Sequence, residues 1–115
     1  MQKNIFGKKG EIIATNYLKK EGYKILENNY KNKIGEIDII AKDKNFIVFV
    51  EVKTRTSSML GDPLEAIDEQ KQFKIRQVAT MYLMKTKQLE SLIRFDAIAI
   101  LGDEDCDIRH IIDAF

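Results

Sequence analysis

Apolar positions along the chain recur with two different periods. Between about Asn4 and Glu21 the spacing is helical, and Gly22 is the natural place for that helix to stop. On such a helix Gly7, Glu11, Ala14, Leu18 and Glu21 share a side with Tyr17, so Glu11 falls on the stripe that faces the body of the protein. An inward glutamate serves either as the partner of a buried lysine or as a further acid at a cation site. Strand patterns follow near Tyr23–Asn29, Gly35–Ala41 and Asn45–Thr54. The last of these opens with the unbroken apolar run Phe46–Val50, the signature of a strand covered on both faces.

That buried strand ends in charge. Glu51 and Lys53 are two residues apart, which in a strand puts them on one face, and charges at the mouth of a buried strand are costly unless they are paired or hold a metal. The polar stretch Lys42-Asp43-Lys44-Asn45 suits a hairpin joining this strand to the one carrying Gly35-Glu36-Ile37-Asp38. A tight turn at Asp43-Lys44 sets Glu36 opposite Glu51 and Asp38 opposite Phe49. Glu36, Asp38, Glu51 and Lys53 then share a face, with Asp38 and Glu51 as diagonal neighbours roughly 7 to 8 Å apart between backbones, close enough to share a cation. An odd-length turn would send Asp38 to the other face.

Ser57-Ser58-Met59-Leu60-Gly61 reads as a loop directly after the charged strand end, and so as a substrate-facing one. Asp62-Pro63-Leu64-Glu65 fits a helix start, with Asp62 as cap, Pro63 in the first helical position and Glu65 closing a capping box. The helical pattern runs on, with a break near Asp68–Gln70, to about Lys87. Its apolar stripe is Ile75, Val78, Ala79 and Tyr82, and Lys71 lies on that stripe. Lys71 either snorkels to solvent or approaches the acidic site or a substrate phosphate. Arg94–Leu101 forms another strand, with Phe95, Ala97, Ala99 and Leu101 on one face, and Asp107–Ile112 a weaker final one.

With 115 residues, 44% of them hydrophobic, the chain fits a single domain over 1–115 with a modest core. No apolar run approaches the ~18 residues of a membrane span, and Met1-Gln2-Lys3-Asn4 lacks the apolar stretch of a signal peptide, so a cytoplasmic protein with no membrane partner is expected. The lone cysteine, Cys106, sits among Asp103, Glu104, Asp105 and Asp107, where negative charge disfavours a thiolate. One histidine, His110, excludes a histidine-cysteine zinc site or a two-histidine active site within one chain and reads as an ordinary strand residue. The formal net charge of +1 hides a segregation. Residues 1–34 carry eight lysines against Glu11, Glu21 and Glu27, residues 71–87 carry five bases and no acid, and six acids follow Arg94. A polyanion such as nucleic acid would meet the two basic helical segments; Lys8, Lys9, Arg55, Lys71 and Lys74 are the candidate phosphate contacts. The plain alternative is a solvated lysine surface.

The order helix, three strands, helix, strand, with Asp38 followed by Glu51-Val52-Lys53, resembles the PD-(D/E)XK nuclease superfamily. More closely, Gly35-Glu36-Ile37-Asp38-Ile39-Ile40-Ala41, Phe49-Val50-Glu51-Val52-Lys53-Thr54-Arg55 and Arg94-Phe95-Asp96 resemble the YraN-like bacterial proteins, relatives of archaeal Holliday junction resolvases. The resemblance implies an α/β fold with a restriction-endonuclease-like mixed β-sheet core flanked by helices, αβββαβ. It implies Asp38 and Glu51 as carboxylate ligands of Mg²⁺, with Mn²⁺ as a substitute, the Val52 carbonyl as a third oxygen ligand, and Lys53 as the group that orients water or stabilises developing charge. Glu11 matches the acid such relatives carry on their first helix, and Lys71 a basic position on the second. Ile37 stands where the superfamily label has proline, a change that leaves the ligand position intact.

The leading expectation is a Mg²⁺-dependent endonuclease acting on DNA, including branched or recombination intermediates. One site cuts one strand, so symmetric cleavage of a junction would need a homodimer. A non-catalytic nucleic-acid-binding module with the same fold is the alternative, and a protein-interaction domain using the acidic tail is a third reading.

Overall fold

Helix α1 (Gln2–Lys20) stops where Gly22 takes a φ of 94°, a left-handed conformation that costs glycine little. The structure, a computed structural model, describes residues 2–55, 67–102 and 107–115, with side chains from residue 9 onward. The loop expected at Ser57–Gly61, the helix start expected at Asp62–Glu65, Cys106 and the side chain of Lys8 lie outside the described residues. After α1 come strands β1 (Lys24–Lys31), β2 (Glu36–Asp43) and β3 (Phe46–Arg55), helix α2 (Glu69–Lys85), and strands β4 (Leu92–Leu101) and β5 (Asp107–Ile111). They form one five-stranded sheet in the order β1-β2-β3-β4-β5. Among the described strands only β3 and β4 pair in parallel, and α2 lies between them in the chain. A mixed sheet with helices packed on it is compatible with the restriction-endonuclease-like core.

The two helices cover opposite faces. Ala14 and Leu18 of α1 pack with Ile39, Ala41, Val48, Val50, Ile98 and Ile100, whereas Ile75, Val78, Ala79, Tyr82 and Leu83 of α2 pack with Ile40, Ile47, Phe49, Phe95 and Ala97. Alternate residues of β3 therefore enter different cores, which is why its apolar run is unbroken: Ile47 to Val50 are all buried. Glu21, on the same stripe as Leu18, is exposed because α1 has ended by then. Gly10 lets α1 come down onto the far end of β3, where any Cβ at that position would collide with the Thr54 methyl.

The hairpin register differs from the one the sequence pattern suggested. Asp43 pairs with Phe46, so the turn is Lys44–Asn45, with Lys44 at φ 55°. Asp43 stays in the strand because its carboxylate accepts a hydrogen bond from Arg94 of β4 at 3.0 Å. The loop still has two residues, so face assignments survive, but every partner moves by two. Phe49 pairs with Ile40, not with Asp38. Glu36 is not opposite Glu51; it pairs with Lys31 of β1, to which it makes an exposed ion pair at 3.7 Å.

The second helix begins at Glu69. Asp68, where a break in the pattern was expected, is its N-cap, accepting from the Lys71 N–H at 2.8 Å.

Candidate metal and nucleic-acid site

The β2–β3 ladder ends at Ile39–Val50, although both strands continue. One step past that point Asp38 and Glu51 stand level across the gap, instead of diagonally, and a side chain replaces the missing backbone pairing. Asp38 Oδ2 accepts from the backbone N–H of Val52 at 2.8 Å. In an extended strand a residue's N–H and C=O leave by the same edge, so the Val52 carbonyl is also directed toward β2.

Glu51 is buried at 6% exposure among apolar neighbours of β3. Its Oε2 is fully covered and makes no hydrogen bond among the described residues. The Nζ of Lys71 stands 3.4 Å from that oxygen, at ion-pair distance but without hydrogen-bond alignment. Lys71, though exposed, thus reaches from α2 to the acidic site, one of the two roles its place on the apolar stripe allowed. The Asp38 carboxyl is pushed up to about 8 by burial and by the adjacent Glu51, against the opposing pull of the Val52 N–H and the Lys53 charge. Two carboxylates pressed together out of water retain a proton or acquire a cation.

Asp38, Glu51, Lys53 and Lys71 therefore meet where β2 and β3 part, below the start of α2. Lys74 is exposed one turn along α2 and lines a groove together with Lys71. The remaining candidates are placed elsewhere. Lys9 is exposed on α1, and Arg55 donates to the Thr54 carbonyl at 2.8 Å at the end of β3. Glu11 is half-buried and lines a shallow depression with Thr15, Asn16, Asn28 and Asn29, between α1 and β1. Among the described residues no three acidic, histidine or cysteine side chains gather closely enough to hold a metal ion, so the convergent acids are the pair Asp38 and Glu51.

A second polar cluster lies on the α1 face; the sequence pattern named Arg94 and Asp96 within one motif, Tyr17 on the α1 stripe and His110 in a strand, but did not bring them together. Asp96 is completely buried and accepts from Arg94 Nε and Nη2, both at 2.9 Å, and from the Asp113 N–H at 3.2 Å. His110 Nε2 stands 2.7 Å from Asp96 Oδ2, and its Nδ1 is 3.1 Å from the Tyr17 hydroxyl. Because a carboxylate only accepts, Nε2 carries the proton. Arg94 also reaches the Tyr23 hydroxyl at 2.7 Å. Burial alone would raise the Asp96 carboxyl, but hydrogen bonds from His110 and Arg94 outweigh it and hold it below its ordinary value. Arg94 is driven upward, first by its bond to Asp96. The one signal in the sequence was opposite charges two residues apart in an otherwise apolar strand, a spacing that puts them on the same face.

A family model described as "Uncharacterised protein family UPF0102" matches residues 10–100. The chain is 50% identical along its whole length to a UPF0102 protein of Caldanaerobacter subterraneus subsp. tengcongensis, covering 98% of that protein. It is 54% identical to a UPF0102 protein of Clostridium botulinum strain Loch Maree over 83% of this chain and 78% of that one, and 53% identical over the same shares to one from strain 657. No described helix is long and apolar enough to cross a membrane.

Proposed function

The chain belongs to the UPF0102 family, which is YraN-like, and from that premise we propose that it is a divalent-cation-dependent endonuclease hydrolysing DNA phosphodiester bonds, on branched or recombination intermediates among others. The observation that carries this reading is the buried, hydrogen-bond-free Oε2 of Glu51 beside a carboxyl that its surroundings push up to about 8. Crowding two carboxylates out of water is costly to a fold, and a bound cation offsets that cost. The donor set fits Mg²⁺ or Mn²⁺: two carboxylates, Asp38 and Glu51, and the Val52 carbonyl, all hard oxygens and few enough to leave positions for water. The chemistry a divalent cation supplies in such a site is polarisation of the phosphoryl group and activation of a water at neutral pH.

The protein's own groups do the rest. Asp38 is held by the Val52 N–H, which fixes the approach of β2 to the Glu51-Val52-Lys53 triplet. Lys53, two residues from Glu51 on the same face, orients the attacking water or stabilises charge developing on the phosphate. Lys71 neutralises Glu51 in the free protein and is available to the substrate phosphate once a cation takes over that role. Glu11, which lines the depression between α1 and β1, lies apart from the Asp38–Glu51 pair, and this reading gives it no ligand role. Lys8, Lys9, Lys74 and Arg55 supply phosphate contacts. The reading places the protein in the cytoplasm, with a homodimer required only for symmetric cleavage of two strands.

One observation favours a non-catalytic DNA-binding module instead: Lys71 already gives Glu51 a counter-ion at 3.4 Å, so the carboxylate is tolerated without a metal. Incubating labelled branched, flapped and linear DNA with Mg²⁺, Mn²⁺ or chelator separates the two. Cation-dependent products that vanish in Glu51→Ala establish the nuclease; binding without products establishes the module.

A further inference from the structure

We propose that the outer side of α2 carries a stacking subsite for one unpaired nucleobase, so that the DNA taken by the carboxylate site has a single-stranded portion, such as a flap or the open arm of a fork. The inference rests on the nuclease reading above and narrows its substrate. Phe73 is 63% exposed on a helix whose apolar stripe already faces the sheet through Ile75, Val78, Ala79 and Tyr82, so core packing does not explain it. It lines a groove of about 420 Å³ with Asp68, Gln70, Lys71, Lys74 and Gln77, within the size range of small-molecule sites.

Each of these groups suits a nucleotide. Phe73 offers a ring face, Gln70 and Gln77 offer amides that pair with base edges, and the lysines offer charge for phosphate. Asp68 caps α2 through the Lys71 N–H, and the two lysines of the groove outweigh its single charge. Lys71 belongs to both places: its chain lines the groove while its ammonium stands 3.4 Å from Glu51. A strand lying in the groove is therefore led to the carboxylates along one side chain. The Lys74 chain passes beside Gly35, where an added Cβ would lie 3.8 Å from its Cγ and Cδ, just before the strand that carries Asp38.

The surroundings of Phe73 decide the class of occupant. An apolar protein surface would leave two lysines and two amides to desolvate, whereas a polyanion with flat rings matches all of them. A paired base inside a duplex has no free face to offer, so the base on Phe73 must be unpaired.

Flap DNA carrying 2-aminopurine at successive positions of its single-stranded arm, titrated in chelator, tests the proposal directly. One position near the branch is expected to lose fluorescence on binding. Phe73→Ala should abolish that quench and weaken flap binding about tenfold while leaving duplex affinity unchanged. Phe73→Trp should keep both, and Phe73→Leu, apolar but without a ring, should behave as the alanine variant does. Wild-type quenching in Phe73→Leu, or equal loss of flap and duplex binding in Phe73→Ala, overturns the subsite. A quench from a protein that never cleaves would mean that the nuclease reading fails and the subsite stands; Glu51-dependent cleavage with no quench at any position means the reverse.

Discussion

Asp38 of β2 accepts the backbone N–H of Val52 at 2.8 Å, so a side chain closes the gap where two strands of the sheet stop pairing. That bond ties one acid to the centre of the triplet that carries the other acid and the lysine. It turns two motifs separate in sequence into one site, and its consequences can be measured.

Glu51→Ala and Lys53→Ala should both lower cleavage, by about a hundredfold or more, but for different reasons. Glu51 is a proposed oxygen ligand, so its loss weakens Mg²⁺ or Mn²⁺ binding itself. Lys53 acts on the water and the developing charge, so its loss spares cation binding, or strengthens it slightly because a positive neighbour has gone, and lowers the chemical step. Calorimetric cation titrations beside single-turnover cleavage read both. Wild-type activity in either folded variant overturns the assignment.

The Asp38 carboxyl, raised from 3.8 to about 8, makes stability and cation binding depend on pH in a definite direction. The folded protein holds this proton more tightly than the unfolded chain does, so the contribution is full in acid and is lost as pH rises toward about 8. Without cations, the melting temperature of the native protein should fall over that interval, and Asp38→Asn should flatten the decline. Cation binding expels the same proton. Its apparent affinity should climb with pH through this window, and titrations in buffers of different ionisation enthalpy should record proton release. A pH-independent affinity would contradict the shared proton.

Binding to DNA should depend steeply on salt and weakly on sequence, since the basic residues offer phosphate contacts and the sequence carries no recognition-helix motif. Replacing Lys71 and Lys74 by glutamine should each reduce the slope of log affinity against log salt by about one. Anisotropy titrations over a salt series suffice, and an affinity indifferent to salt would rule out a phosphate-dominated surface.

On the other face of the sheet, Asp96→Ala leaves buried Arg94 with Asp43 alone as a carboxylate partner among the described residues, and should cost about 3 kcal/mol in urea unfolding. His110→Ala should cost less, because Arg94 and Asp96 keep each other. The held-down Asp96 carboxyl works in the opposite sense to Asp38: its stabilisation is present above its unfolded pKa and is lost as pH falls through the folded value. A loss for Asp96→Ala no larger than that for His110→Ala would show the cluster to be dispensable.

Local periodicity was enough for several features of this protein. The helical stripe of α2, the side of that helix that bears Lys71, the two-sided burial of β3 and the placing of Glu51 and Lys53 on one face each depend on the spacing of neighbours in the chain, which backbone geometry converts directly into direction. Even the shared face of Asp38 and Glu51 needed only an even-length turn. The register itself did not follow, because Asp43–Lys44 and Lys44–Asn45 are equally polar, and the choice is made by Arg94, 51 residues further on, which holds Asp43 in β2. Tertiary structure alone put α1 and α2 on opposite faces, set Glu11 against β1, and closed Tyr17, His110 and Asp96 into one chain of hydrogen bonds. It also gathered Phe73 and the lysines into a groove beside the acids. Such features depend on which distant surfaces meet, and packing decides that for the whole chain at once.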